Sequence, residues 1–326
     1  MRSRSALARL CACLFAVAVP SVFAQAPYPN QQIRIICAFP AGGGTDLTAR
    51  LLAEQMQKIL GQPVVVDNRT GASGMIGTEA AAKSKPDGYT LLVASGEMAL
   101  NPHLYPKITY DWDREIQPIT LLVKVANVMA VHMDVPAKNV AELVAHAKQN
   151  PGKLTFSSSG VGNPQQLTGE LFNKLAGVQI RHVPYKGAAP QLAALAGKEV
   201  ALTYVSIGAA KPFIDAQRIR PIGVTSLTRV AALPDVPAIA EYPPLAGFEL
   251  VNFFGFFGPA GLPDPVLRRL NTTAVQIMKM PELVAKFRSL GFEPAPNSPE
   301  EFRTFIRSES AKFAKIIVEA GVKLSE

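Results

Sequence analysis

The chain is poor in the features that commit a sequence to most chemistries. Of three cysteines, Cys11 and Cys13 fall within the first 24 residues, so only Cys37 lies beyond and no disulfide can close inside the remainder. Cys37 sits in an apolar run with no base near it in sequence, and is expected to be a small buried hydrophobe. The four histidines, His103, His132, His146 and His182, have no metal-ligand spacing such as HxxxH, so no metal is expected. His146 falls mid-helix; His182 ends a strand before PYKG and is the one placed to touch a ligand. The glycine-rich turn near the start lacks the GK[ST] of a P-loop and the third glycine of a dinucleotide fingerprint, and no other cofactor is implied. No GxSxG elbow is present, and the Ser157–Ser159 run has no evident base, which makes a secreted serine hydrolase the weaker of two readings.

Charge of one sign is also scarce. Lys plus Arg number 33 against 25 Asp plus Glu, a formal net charge of +8. The basic residues do not cluster as nucleic-acid binding requires. There is no low-complexity segment and no Gly/Ser linker. The one long apolar run, Leu10–Val19, is ten residues, too short to span a bilayer. It follows three arginines without an acid and precedes Pro20 and Val22-Phe23-Ala24, the pattern of a secretory signal peptide cleaved after Ala24. Its removal leaves 302 residues carrying +5, a mild field that gathers small anions. That length exceeds one comfortable core, so two closely joined domains are expected.

What is present begins with IRIICAFPAGGGTDLTAR at 33–50. An apolar, β-prone run meets Pro40 and three glycines, and a helical pattern starts at Thr45 or Asp46. The first amides of a helix have no intrahelical acceptor, and glycine lets a ligand approach the main chain. A strand, a Gly turn and a helix N-terminus form a cradle for a carboxylate or phosphate; any βα unit also needs glycines for its turn. Thr45–Leu60 places Leu47, Leu51, Leu52, Met56 and Ile59 on one face, with Gly61 past its end. Apolar strands at 63–67 and 89–94 alternate with an alanine-rich helix at 76–83, which predicts a parallel sheet covered on both sides. Ligands in such sheets sit beyond the carboxyl ends of strands, where Ser95 lies as ligand contact or helix cap.

Residues 116–132 read as two strands, with the crossing into a second domain between them. Asn139 and Glu142 cap the next helix. KLTFSSSGVGNPQQLTGELFNKLAG at 153–177 then repeats the opening grammar: a strand at 154–157, a Ser and Gly turn at 158–162, and a helix from Asn163-Pro164 with proline in its favoured first position. Two cradles, one per half, place amides and hydroxyls in a single cleft if the halves face each other. Strands at 180–183, 200–206 and 219–225 and an irregular proline-rich segment at 227–249 follow. Phe253–Phe257 reads as a buried strand. Three helices close the chain at about 264–279, 281–289 and 298–320, the last capped by Ser298 and Glu301.

FPAGGGTDLTAR, VVVDNRTGASGMIGTE, KPDGYTLL, VPAKNVAELVAHAKQNPGKLTFSSSGVG, HVPYKG, PDVPAIAE and PAGLP resemble, in order, the solute receptors of tripartite tricarboxylate transporters, the Bug family. The resemblance implies a periplasmic binding protein (Venus-flytrap) fold of two α/β domains joined by a hinge. Domain 1 is then 25–124 with 252–326, and domain 2 is 125–251. It implies a periplasmic, monomeric receptor with a small carboxylate ligand, a di- or tricarboxylate or an aromatic acid, and transporter subunits or a sensor as partner. The ligand residues it implies are Ala41, Gly42, Gly43, Gly44, Thr45 and Asp46 in the first turn. The second turn contributes Ser158, Ser159, Gly160, Gln165 and Gln166, with Ser95, Tyr185 and Ser206 completing the set. Three departures stand out. Gln165-Gln166 replaces a frequent Ser-His pair, and Phe253 replaces a frequent tryptophan, with Leu262 for the usual threonine. Ser206 stands where the family often has Asp or Asn, which weakens the case for a ligand amino group.

Overall fold

β1 (Ile33–Cys37) runs into the glycine turn and out through α1 (Gly44–Leu60), as the sequence pattern predicts. The computed structural model describes residues 28–321, so the expected signal peptide lies outside the described residues. α1 buries Thr45, Thr48, Ala49, Leu52, Ala53 and Met56. Of the residues expected on one apolar face, Leu47, Leu51 and Ile59 are only partly buried and flank it. The small residues on the inner face let the helix lie close to the sheet. Gly61 ends it in the left-handed conformation, φ 68°, with its amide bonded to Gln57 O.

β2 (Val64–Asn68), α2 (Met75–Ala82) and β3 (Thr90–Ser95) follow. Two single-turn helices, α3 (Glu97–Leu100) and α4 (Trp112–Glu115), have no periodic signature and come next. β4 (Ile116–Val125) and β5 (Asn127–His132) are the predicted strand pair. Beyond them come α5 (Val140–Gln149), β6 (Thr155–Ser158), α6 (Pro164–Ala176), β7 (Arg181–Pro184), α7 (Ala188–Ala196), β8 (Leu202–Ser206), α8 (Ile207–Asp215) and β9 (Ile219–Val224). The chain ends in β10 (Asn252–Pro259), α9 (Asp264–Met278), α10 (Pro281–Ser289), β11 (Phe292–Pro294) and α11 (Pro299–Ala320).

These strands form two sheets, ordered β11-β4-β10-β3-β1-β2 and β7-β6-β8-β5-β9. β1 pairs in parallel with β2 and β3, but β10 runs antiparallel between β3 and β4, so the first sheet is mixed rather than wholly parallel. The second sheet is mixed too, with β5 antiparallel to β8 and β9. The all-parallel expectation fails because β10 returns to the first sheet by a long crossing, and β5 enters the second sheet straight from β4, rather than through another βα unit. Sheet membership changes at Ala126, between β4 and β5, and changes back between β9 and β10. The two crossings are stitched together: Asn127 N donates to Thr225 Oγ1 (2.9 Å), Thr225 N to Asn127 O (3.0 Å), and Leu250 N to Thr225 O (3.1 Å).

β10 locks the first sheet. Its phenylalanines alternate across the strand, Phe254 and Phe256 into the cluster under α1 and α9, and Phe253 and Phe257 against Phe302 and Ile306 of α11. A Cβ on Gly255 would stand 2.3 Å from the Phe302 ring, so glycine is what lets α11 seat here. Each fully buried phenylalanine contributes about 1.5–3 kcal/mol of apolar burial. α11 starts on the capping box expected of it: Glu301 N donates to Ser298 Oγ (3.1 Å), and Ser298 N donates to Glu301 Oε2 (2.9 Å). Its later turns leave the first sheet, packing Phe313, Ile316 and Ile317 on Leu167 of α6 and on Leu250. Lys174 and Glu319 add an ion pair at 2.7 Å. The last helix therefore spans both halves.

Candidate functional site

The carboxyl ends of β1, β3, β4, β6 and β8 converge, together with the amino ends of the antiparallel β5 and β10, on one cavity of about 160 Å³. The first half supplies Phe39, Thr45, Ser95, Glu97, Val125, Asn252 and Phe254. The second supplies Asn127, Ser159, Asn163, Pro164, Gln165 and Ser206. Both glycine and serine turns thus reach the same space through Thr45 and through Ser159 with Gln165. Larger depressions elsewhere, such as the one of about 480 Å³ around Glu170 and Lys174, are open grooves on one half.

The three glycines of the first turn do different jobs. Gly42 holds φ +82°, which a side chain would strain. A Cβ on Gly44 would come within 2.9 Å of the Phe292 ring and 3.1 Å of the Phe254 ring, so Gly44 is needed for packing. Gly43 is extended at φ −78°, and its Cβ would meet only Pro40 O at an ordinary 3.4 Å. Asp46 turns inward and holds the loop from within. Its carboxylate accepts from Gly42 N (2.9 Å), Arg50 Nε (2.9 Å) and Asn68 Nδ2 (2.8 Å), and it is 2% exposed. Burial alone would raise this carboxyl; the bonds from Arg50, Gly42 and Asn68 outweigh it and hold it below its ordinary 3.8. Among the described residues, nothing accepts from the amides of Gly44, Thr45 or Asp46, which begin α1.

The second turn is built differently. Ser159 N donates to Gln165 Oε1 (2.8 Å), Gly162 N to Gln166 Oε1 (2.7 Å), and Gly160 N to Ser158 Oγ (3.3 Å). Asn163 caps α6 by accepting from Gln166 N (2.9 Å) and donates to Ser159 Oγ (2.9 Å). The side chains of α6 therefore occupy the amides of their own turn. What this turn offers the cavity is side-chain polarity: Ser159, Asn163 and Gln165.

Ser158 is fully buried, and its Oγ lies 2.6 Å from Gly160 O and 2.6 Å from His182 Nε2. A hydroxyl has one proton. Donated to Gly160 O, it leaves Ser158 Oγ as acceptor from His182 Nε2–H, so that nitrogen is a donor and not a base. Burial pushes His182 down from 6.5 to about 4, and its ring packs on Phe156 at 5.1 Å. Ser157 donates to Thr203 Oγ1 in the core.

Of the residues singled out in the sequence, Thr45, Ser95, Ser159, Gln165 and Ser206 line the cavity. Ala41, Gly42 and Gly43 form the exposed lip of the first turn, with Gly44 packed behind them. Asp46, Ser158, Gly160 and Gln166 support the two turns. Tyr185, expected to contact ligand, instead bonds Glu199 at 3.3 Å and does not line the cavity. Sequence reasoning passed over Glu97, Asn127, Asn163 and Asn252. All four lie within two residues of a strand end or helix start, which is the signal that would have found them. Among the described residues, Glu97 is the one charged residue in the wall. Its carboxyl accepts from Ser95 Oγ and interacts with the Asn252 amide, and burial raises it above its ordinary 4.5. Among the described residues, no group of three or more His, Cys, Asp or Glu is arranged to hold a metal ion.

Two mixed α/β halves joined by paired crossings, with a polar cavity between their strand ends, define the class of periplasmic binding proteins. Residues 48–322 match the model of the tripartite tricarboxylate transporter family receptor. BugT of Bordetella pertussis is 34% identical over 301 residues, covering 91% of both chains. A structure of an R. palustris protein with adipate superposes at TM-score 0.83 with 34% identity, covering 91% of this chain and 99% of that one. MatC from Rhodopseudomonas palustris with bound malate superposes at 0.77 with 26% identity, covering 89% and 100%. The chain belongs to the tripartite tricarboxylate transporter receptor family, whose members are periplasmic solute receptors. No described helix is long and apolar enough to cross a membrane.

Proposed function

We propose that the protein is exported by cleavage after Ala24 and captures a small organic carboxylate in the cavity between its halves. It works as a monomer without turnover and presents the closed form to a tripartite tricarboxylate-type transporter or a sensor. The convergence of both turns on one cavity carries this reading. The free amides of Gly44 and Thr45 receive a carboxylate end, with Ser159 and Gln165 facing it from the other half and Ser95 and Ser206 closing the sides. The stitched crossings at Asn127 and Thr225 serve as the hinge. The adipate and malate bound by the two superposed relatives support the ligand class. A serine hydrolase has little support, since Ser158 is buried with its proton committed to Gly160 O.

A thermal-shift screen of mono-, di-, hydroxy- and aminocarboxylates tests this directly. A ligand held only by the folded state at about 100 times its Kd adds about 2.7 kcal/mol. A clear rise in Tm with at least one acid, without its consumption, is expected. No shift across the library would overturn the reading.

A further inference from the structure

The cavity contains a carboxyl group that a carboxylate receptor does not need. Glu97 stands in its wall, half-buried, at the start of α3. Ser95 Oγ donates to it and the Asn252 amide lies against it, so two neutral donors orient it toward the cavity. Asn252 is itself fixed, its Oδ1 accepting from Gly96 N (3.1 Å) and Phe253 N (2.8 Å). Among the described residues Glu97 has no ion-pair partner, and neither Lys nor Arg lines the cavity. The remaining wall is neutral: hydroxyls, amides and the apolar Phe39, Val125, Pro164 and Phe254.

Two ends of this space therefore differ in sign. The α1 N-terminus offers unpaired amides and the positive end of a helix dipole, which suits a carboxylate. The Glu97 end offers an acceptor only. A second ligand carboxylate placed there would meet a like charge with no cation to separate them, and that arrangement costs energy in a poorly solvated cavity. A protonated amine would supply the missing partner through a charge-assisted hydrogen bond.

We propose that Glu97 is the specificity determinant of this cavity and that the ligand is an aminocarboxylate, its carboxylate on the α1 amides and its ammonium on Glu97. This rests on the carboxylate-receptor reading above and names the ligand class within it. The raised carboxyl of Glu97 agrees, because burial without a counter-charge is what an arriving ammonium relieves. The acidic group missing at Ser206 is thereby replaced from the opposite half of the same cavity.

The test uses length-matched probes at pH 7.5: 4-aminobutyrate against succinate, 5-aminopentanoate against glutarate, 6-aminohexanoate against adipate, and 2-aminobutyrate against butyrate. Binding is read by calorimetry and thermal shift on the wild type and Glu97→Gln, which keeps the shape and the Ser95 hydrogen bond. At least one amino probe is expected to bind the wild type about tenfold or more tighter than its partner acid. Glu97→Gln should lose that advantage and gain the dicarboxylate, to which its amide can donate. Tighter binding of dicarboxylates by the wild type would overturn the proposal while leaving the receptor reading standing. An affinity for them that falls about tenfold per unit of rising pH would show Glu97 acting as a protonated donor, and would overturn it equally. Equal affinity of wild type and Glu97→Gln for an amino probe would also overturn it. Silence of both proteins toward every probe would take the receptor reading down with it.

Discussion

Ser158 Oγ and His182 Nε2 lie 2.6 Å apart in a partly buried pair that has the spacing of a catalytic dyad and the proton arrangement of a structural one. Gly160 O takes the hydroxyl proton at 2.6 Å, which leaves the imidazole as donor. The pair ties β7 to the end of β6, the strand that carries the second turn, so its chemistry is felt as stability.

His182 makes the fold sensitive to acid. Its folded pKa, about 4, lies below its ordinary 6.5, so between these values the unfolded chain binds more protons than the folded one. Stability is therefore full above pH 6.5 and declines as pH falls toward 4. His103, bonded to Ser310 and also lowered by burial, adds a slope of the same sign. His182→Gln keeps a donor for Ser158 but cannot take up the proton. Its Tm is expected to vary less than that of the wild type between pH 4 and 6.5. Parallel profiles would mean that His182 is not the buried neutral group described.

Asp46 is expected to matter before any ligand arrives. Asp46→Asn places an amide among three donors, Gly42 N, Arg50 Nε and Asn68 Nδ2, and leaves at least one without an acceptor. The cost is about 1–3 kcal/mol of unfolding free energy at pH 7 in denaturant titration. Because the folded carboxyl lies below 3.8, the wild-type advantage is present above that pH and disappears as pH falls through the folded value. Wild-type stability of Asp46→Asn without ligand would place the carboxylate in a ligand-facing role instead.

Local signals were readable wherever the physics was local. The Asn139 cap, the Ser298–Glu301 box, Pro164 at the start of α6 and the left-handed Gly61 all follow from residues within four positions of each other. The turn chemistry was readable only to the level of residue type. AGGGTD and SSSGVGNPQQ both offer amides and acceptors, yet nothing in the spacing says that Gln165 and Gln166 consume the second set while Asp46 consumes only Gly42 N. That outcome depends on rotamers set by packing. Glu97 was invisible for a similar reason. It lies two residues past a buried strand, and its exposure to the cavity depends on Asn252, 155 positions away in sequence. α11 reads as one amphipathic helix, and only the tertiary contacts divide it between Phe253 at one end and Leu167 at the other.

The first turn carries the sharpest single-residue prediction, because its three glycines separate structure from recognition. Gly42→Ala forces a side chain into φ +82° and is expected to cost about 1–2 kcal/mol of stability. Gly44→Ala drives a methyl into the Phe254 and Phe292 rings and should cost about 1–3 kcal/mol by overpacking. Gly43→Val meets neither obstacle, since its backbone is extended and its nearest neighbour is Pro40 O at 3.4 Å. Its stability without ligand should fall by no more than about 1 kcal/mol, the cost of replacing glycine at the helix N-cap. Yet a branched side chain directly before the Gly44 and Thr45 amides blocks the approach of a carboxylate. The ligand-induced rise in Tm is therefore expected to vanish in Gly43→Val, whereas Gly42→Ala and Gly44→Ala, though less stable, should retain a shift. Retention of the full shift in Gly43→Val would return all three glycines to the turn itself and move the carboxylate site elsewhere in the cavity.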